Sequence, residues 1–173
     1  NTPSARFFNE SVHGITIYDG TPDQKITLSS NPYDWLEASF FYTNIQGLPY
    51  PGFEYQDYKD KGFNFKIRLK KEGSLPAIAI GLNDFAGTGY YSSEYIVSSY
   101  GLGNVDMHFG LGWGQLNGSN DFKNPFSYLN ESFLNRPVEL KERSGGAFNP
   151  DQYFSGPTTS PFYGISYKLN KNL

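Results

Sequence analysis

Cysteine is absent from the 173 residues, and methionine occurs once. Without cysteine there are no disulfides, no thiolate–zinc sites and no thiol nucleophile, while the compartment stays open. Nor does any run approach the roughly eighteen apolar residues of a membrane helix. That absence leaves strands untouched, because a barrel strand crosses with about 9–11 residues, apolar at alternate positions. No basic excess exists either. Lys and Arg number 14 against 17 Asp and Glu, for a net charge of −3, so no global field gathers nucleic acid. The two histidines, His13 and His108, lack the paired spacing of a metal site, and no cofactor is expected. No secretory signal peptide is visible at Asn1, which says nothing about secretion, and no internal repeat or low-complexity segment divides the chain.

What is abundant is aromatic: 14 Tyr and 15 Phe, with 19 Gly and 11 Pro to punctuate the chain. That mixture favours strands and frequent turns over helices. The clearest strand is Val105 to Gly114. Val105, Met107, Phe109, Leu111 and Trp113 share one face, and Asp106, His108, Gly110, Gly112 and Gly114 share the other. Glycine weakens a strand, so three on one face imply a close approach or tight curvature there. Further alternation predicts strands over Val12–Tyr18, Lys25–Ser30, Trp35–Thr43, Phe63–Lys70, Pro76–Leu82, Ser92–Tyr100 and Pro161–Leu169. Long loops are expected at Asn44–Lys61, Asn83–Tyr91 and Asn117–Thr159, the last with one or two helical turns over Ser127–Leu134. The fold class is all-β, an antiparallel up-and-down barrel of about eight strands or a section of a larger one.

Periodicity alone does not say which face is inside. A soluble sandwich turns its apolar face inward, whereas a membrane barrel turns it to lipid and keeps small and charged residues within. The non-apolar face here is rich in Gly, Ala and Ser, at Ala77, Ala79, Gly81, Ser98, Gly110, Gly112, Gly164 and Ser166, which suits a narrow interior. Charges on that face have both signs, and Lys66, Arg68 and Lys70 could pair with Glu37, Glu94 and Asp106. Tyr18, Trp35, Tyr42, Tyr90, Tyr91, Trp113 and Tyr167 stand near strand ends, as an interfacial girdle would.

An ordered set of segments carries a family resemblance. It comprises Tyr58–Leu69 (YKDKGFNFKIRL), Leu75–Gly89 (LPAIAIGLNDFAGTG), Ser92–Val97 (SSEYIV) and Gly110–Gly114 (GLGWG). Thr2–Arg6, Trp35–Ser39 and the Gly156-Pro157 to Gly164 stretch extend it along nearly the whole chain. Together they resemble the YjbH-like (GfcD-type) family of exopolysaccharide and group 4 capsule outer-membrane proteins. The resemblance implies a bacterial outer-membrane β-barrel, non-catalytic, acting in exopolysaccharide or capsule export. Its partners would be polysaccharide, anionic polymer included, outer-membrane lipid and other export proteins, with no nucleic acid. Family members are much longer, so the chain reads as a single domain over 1–173 at the N-terminal part of such a protein. Members are often lipoproteins, and this chain has no cysteine to acylate.

The candidate site is a polar interior of Glu37, Lys66, Arg68, Glu94, Asp106 and His108, with Trp113 at a rim, presenting hydrogen-bonding groups to sugar or partner proteins. The basic stripe of Lys66, Arg68 and Lys70 reads first as structural and second as a guide for an anionic polymer. Gly87-Thr88-Gly89 lacks the Lys-Ser/Thr of a phosphate loop and reads as a turn between strands. Two other functions compete: a soluble carbohydrate-binding sandwich using Tyr and Trp, and a glycan-acting enzyme using Asp84, Glu94 or Asp106.

Overall fold

Alternating β-branched and aromatic side chains between short polar turns produce a meander. The computed structural model describes residues 2–50, 52–136 and 152–169. Its strands are β1 (His13–Asp19), β2 (Asp23–Tyr33), β3 (Leu36–Tyr50), β4 (Phe53–Lys70), β5 (Ala77–Phe85), β6 (Ser93–Leu102), β7 (Val105–Gly114), β8 (Phe122–Lys123) and β9 (Thr158–Tyr167). They form one antiparallel sheet in the order β1-β2-β3-β4-β5-β6-β7-β9-β8, with β8 a two-residue strand on the far edge of β9. The all-β antiparallel expectation therefore holds. Among the described residues the sheet is open, because β1 and the β9–β8 edge do not pair. The expected helical turns are two 3-10 turns, Pro125–Tyr128 and Glu131–Leu134, N-capped by Asn124 and Asn130. Residues 137–151 of the long loop lie outside the described residues.

Two connections show what turn chemistry does. Leu102 pairs with Val105 across the two-residue link Gly103-Asn104, and Gly103 takes φ +63°, a conformation glycine adopts without steric cost. The expected loop over Asn44–Lys61 is corrected. Ladder pairing continues to Tyr50↔Phe53, making β3 and β4 one long hairpin. Pro49 and Gly47 read as breakers, but register shifts at Ile45, Pro49 and Tyr50 absorb them. Burial on alternate residues runs through Phe41 and Thr43 to Ile45, two residues beyond the expected end of the strand.

The apolar face is the exposed one. Ile15 is 71% exposed, Ile17 74%, Phe109 59% and Ile165 73%, whereas Ala79 and Val97 on the opposite face are fully buried. No second sheet covers Phe109 among the described residues. On the central strands the band runs from Phe63 to Leu69 on β4, Ile78 to Leu82 on β5 and Val105 to Leu111 on β7. Exposed Lys61 and buried Asp84 fall past its margin at the end where the long loops lie.

On the inner face, Ala5, Ala77, Ala79, Tyr95 and Val97 form a core, with Phe7, Leu116 and Phe162 packed on it. The glycines make room for this packing. A Cβ on Gly110 would lie 2.4 Å from the Phe162 ring, one on Gly81 2.1 Å from the Tyr95 ring, and one on Gly112 2.7 Å from Leu116 Cβ. The N-terminal segment crosses this face as a strap. Ala5 N–H donates to Ser99 Oγ at 2.8 Å, and Thr2 lies against Gly164.

Candidate functional site

Three polar clusters sit around the sheet, and the strap builds the first. Arg6 Nε donates to Asp106 Oδ2 at 2.7 Å and Nη2 to Oδ1 at 2.5 Å, while Nη1 meets Glu72. His108 shares a hydrogen bond of 2.9 Å with Ser99 Oγ, the same oxygen that accepts from Ala5, and its Nε2 is 3.9 Å from Asp106. Next to it, Lys66 Nζ contacts Glu37 Oε2 at 2.9 Å, its register partner across β3–β4, and donates to the Arg6 carbonyl at 2.6 Å. Arg68 and Lys66 both lie over the Phe7 ring, at 4.3 and 4.5 Å. Glu37, Lys66, Arg68, Asp106 and His108 are thus brought to one face. The basic stripe is partly neutralised there by Glu37 and by Asp34, whose Oδ2 stands 4.0 Å from Arg68 Nη1.

Glu94 and Trp113 are corrections. They pair with each other and with Leu82 in register on the apolar row, where Trp113 was expected and Glu94 was not. Residues 122–136 and 152–156 fold over that end of the row as a cap. Beneath it, fully buried Glu94 receives Arg136 Nη1 at 2.7 Å on Oε2 and Nη2 at 2.8 Å on Oε1, with Phe154 N–H adding a third bond at 2.9 Å. Trp113 is buried rather than at a rim. Its ring stacks on Phe126 at 5.5 Å, and Nε1–H donates to Asn124 Oδ1 at 3.1 Å. The Asn124 amide nitrogen binds the Phe133, Phe154 and Gly156 carbonyls, which ties the cap together. Beside the cap, a cleft of about 660 Å3 is lined by Asn117, Ser132, Asn135, Arg136, Ser155 and Thr158.

The third cluster lies past the band's margin at the loop end. Asp60 and Asp84 are both fully buried. Asp60 Oδ1 accepts the Thr88 hydroxyl at 2.6 Å, and Asp84 Oδ2 accepts Tyr91 N–H at 3.1 Å, so both carboxylates pin the 86–91 turn. Burial, reinforced by the Asp60 charge, raises the Asp84 pKa to about 7; burial also raises that of Asp60. Lys25 is the nearby cation, held over the Phe41 and Tyr91 rings at 4.1 and 5.1 Å. The Gly87–Gly89 stretch is a turn between strands, as expected.

Asp84, Glu94 and Asp106, the candidate acids of the enzyme reading, are engaged in these three separate clusters. Among the described residues, no three His, Asp or Glu side chains converge on a metal-sized site. Sequence reasoning missed Arg6, Asn124, Arg136 and the Lys25–Asp60 pair. Only long-range packing reveals the first three, and the fourth was hidden by reading Asn44–Lys61 as a loop.

Fold and site together define a class: a single antiparallel meander sheet whose apolar face is exposed and whose small and charged face is packed. Comparison with known proteins narrows this. The pattern of the family described as exopolysaccharide biosynthesis protein YbjH matches residues 1–173, and the chain belongs to that family. It is 34% identical over 172 residues to an uncharacterized lipoprotein YjbH of Escherichia coli strain K12. The match covers 96% of this chain and 24% of the relative, so the chain spans about a quarter of that protein's length. No solved structure matches.

Proposed function

We propose that this chain supplies a lipid-facing wall of a bacterial outer-membrane β-barrel serving exopolysaccharide or capsule export, without catalysing a reaction. The observation that carries the reading is the reversed polarity of the sheet. The sheet exposes an apolar face along most of its length, and its central strands bury a face of Gly, Ala, Ser and paired charges. In water that arrangement leaves a large apolar surface uncovered, whereas in lipid it is the ordinary one. Trp35 and Tyr33, stacked with centroids 5.5 Å apart at the short-turn end, suit an interfacial belt. The open edges at β1 and β9 would pair with further strands to close the barrel. This section's inner face is occupied by its own strap and core, so a polymer would meet the polar cleft and the loop end instead. Membership of an exopolysaccharide biosynthesis family supports the pathway, and the Escherichia coli relative's name as a lipoprotein agrees with a membrane setting.

The absence of cysteine makes the test simple, because a single introduced cysteine labels uniquely. An environment-sensitive fluorophore at Phe109→Cys or Ile165→Cys should be quenched by brominated lipid after reconstitution into vesicles. The same label at Tyr128→Cys, on the cap, should not. A protein that stays monodisperse in buffer without detergent and leaves the Phe109 label unquenched overturns the reading.

A further inference from the structure

The loop-end cluster holds three oxygens that the protein does not satisfy: Thr43 Oγ1, Asp60 Oδ2 and Asp84 Oδ1. All three residues are fully buried. A buried oxygen without a donor carries a desolvation cost, and three in one place call for a shared partner. Thr43 and Asp60 are directly opposite each other on the buried face of the β3–β4 ladder, so their side chains stand next to one another. Asp84 reaches the same place from β5. The point where a Cβ on Gly62 would sit, two residues beyond Asp60, lies 2.4 Å from Asp84 Oδ1. The corresponding point on Gly87 lies 1.7 Å from that oxygen and 2.8 Å from the Lys61 carbonyl. The two glycines therefore leave the room that Asp84 Oδ1 fills, beside the Lys61 carbonyl.

The other oxygen of each acid is already fixed, by Thr88 for Asp60 and by Tyr91 for Asp84. The turn that supplies these donors holds Asp84 at φ +57° and Ala86 at φ +53°, left-handed conformations that non-glycine residues adopt at a cost. Charge points the same way. Asp60 and Asp84 are joined by Asp23, which hydrogen-bonds the Tyr91 side chain, and the facing cation is Lys25. Its ammonium rests on ring faces. Lys61 is exposed and turned away. Three carboxyl groups therefore face a single ammonium, and a bound cation would favour their ionised forms.

We infer that Thr43, Asp60 and Asp84, with the Lys61 carbonyl, form a binding site for a hard divalent cation, calcium. Carboxylate, hydroxyl and carbonyl oxygens at a flexible turn are calcium's ligand set, and no nitrogen or sulfur donor stands among them. With two carboxylates and a neighbouring ammonium the site belongs to the weak class, with a dissociation constant of about 10⁻⁴–10⁻³ M. The cation would lock the 86–91 turn onto the β3–β4 hairpin, whether or not the outer face meets lipid.

The test is titration of the purified protein with calcium chloride, read by thermal unfolding, and with terbium, read by tyrosine-sensitised emission. Calcium should raise the unfolding temperature and displace terbium. Asp84→Asn should weaken calcium by at least about tenfold, and Thr43→Val, which removes one unpartnered oxygen, by about threefold. Lys25→Met should strengthen binding, because it removes a competing charge. Native tryptophan emission confirms that each variant is folded. Equal terbium emission from the wild type and Asp84→Asn overturns the proposal. So does a Thr43→Val variant that gains stability with no loss of calcium response, since those oxygens would then hold only water.

Discussion

Arg136 grips Glu94 with both guanidinium nitrogens, at 2.7 and 2.8 Å, across 42 residues of chain and with the carboxylate wholly out of water. A buried pair of this kind is costly to break from one side, because the survivor is left charged and unpaired. Arg136→Met should destabilise the cap by about 3–5 kcal/mol, and Glu94→Met with Arg136→Met should recover part of that loss. Denaturation followed by Trp113 emission in a Trp35→Phe background measures both, since the chain has two tryptophans and Trp113 stacks within the cap.

Gly110 and Gly81 predict different sensitivities to the same added methyl group. At Gly110 the new Cβ meets the Phe162 ring at 2.4 Å and also the Ile96 carbonyl at 2.5 Å. Backbone cannot swing aside, so Gly110→Ala should cost about 2–3 kcal/mol, and Phe162→Leu should not rescue it. At Gly81 the three nearest atoms all belong to the Tyr95 side chain. Tyr95→Leu should therefore restore most of the stability lost in Gly81→Ala. Thermal unfolding of the two double variants reads the contrast.

Much of this architecture was legible from alternation, and the exceptions have physical causes. Val105–Gly114 is strict in its period and folds as a strand with those bounds. The glycine-rich face identified the packed side, because only a close-approaching partner makes such a face worth its cost. The β3–β4 hairpin was cut short because Pro49 and Gly47 are local breakers, while the burial of Thr43 and Ile45 that overrides them is a tertiary effect. Glu94 shares a row with Ile96 and Leu82-facing positions, where a charge is unexpected. Its partner Arg136 arrives from a distant cap, and no local spacing encodes that contact. Arg6 is similar: its grip on Asp106 spans 100 residues.

Asp84 makes stability depend on pH in an uncommon direction. Its carboxyl is raised from 3.8 to about 7 in the fold, chiefly by burial, so the folded state holds a proton that the unfolded chain releases. Its contribution is complete below the ordinary carboxylate range and is lost as pH rises toward about 7. Asp84→Asn stays neutral throughout and keeps an oxygen for Tyr91 N–H. In calcium-free buffer, the variant's unfolding temperature relative to the wild type should therefore climb between pH 5 and pH 8. A constant difference across that range would show that Asp84 ionises as it does in the unfolded chain.

Phe109 and Tyr128 are both exposed, at 59% and 79%, yet they stand in different places. Phe109 lies mid-band, in register with Ser98 and Tyr163, whereas Tyr128 ends a 3-10 turn on the cap. If both faced water, a lysine at either position would be nearly neutral. If the band faces lipid, Phe109→Lys places a charge near the midplane at about 2–4 kcal/mol, and Tyr128→Lys places one in solvent. Phe109→Lys should lower the fraction inserted into vesicles by more than about tenfold, while Tyr128→Lys should insert like the wild type. Heat-modifiable gel migration after reconstitution reports insertion directly, and equal migration of the two variants would place the band in water.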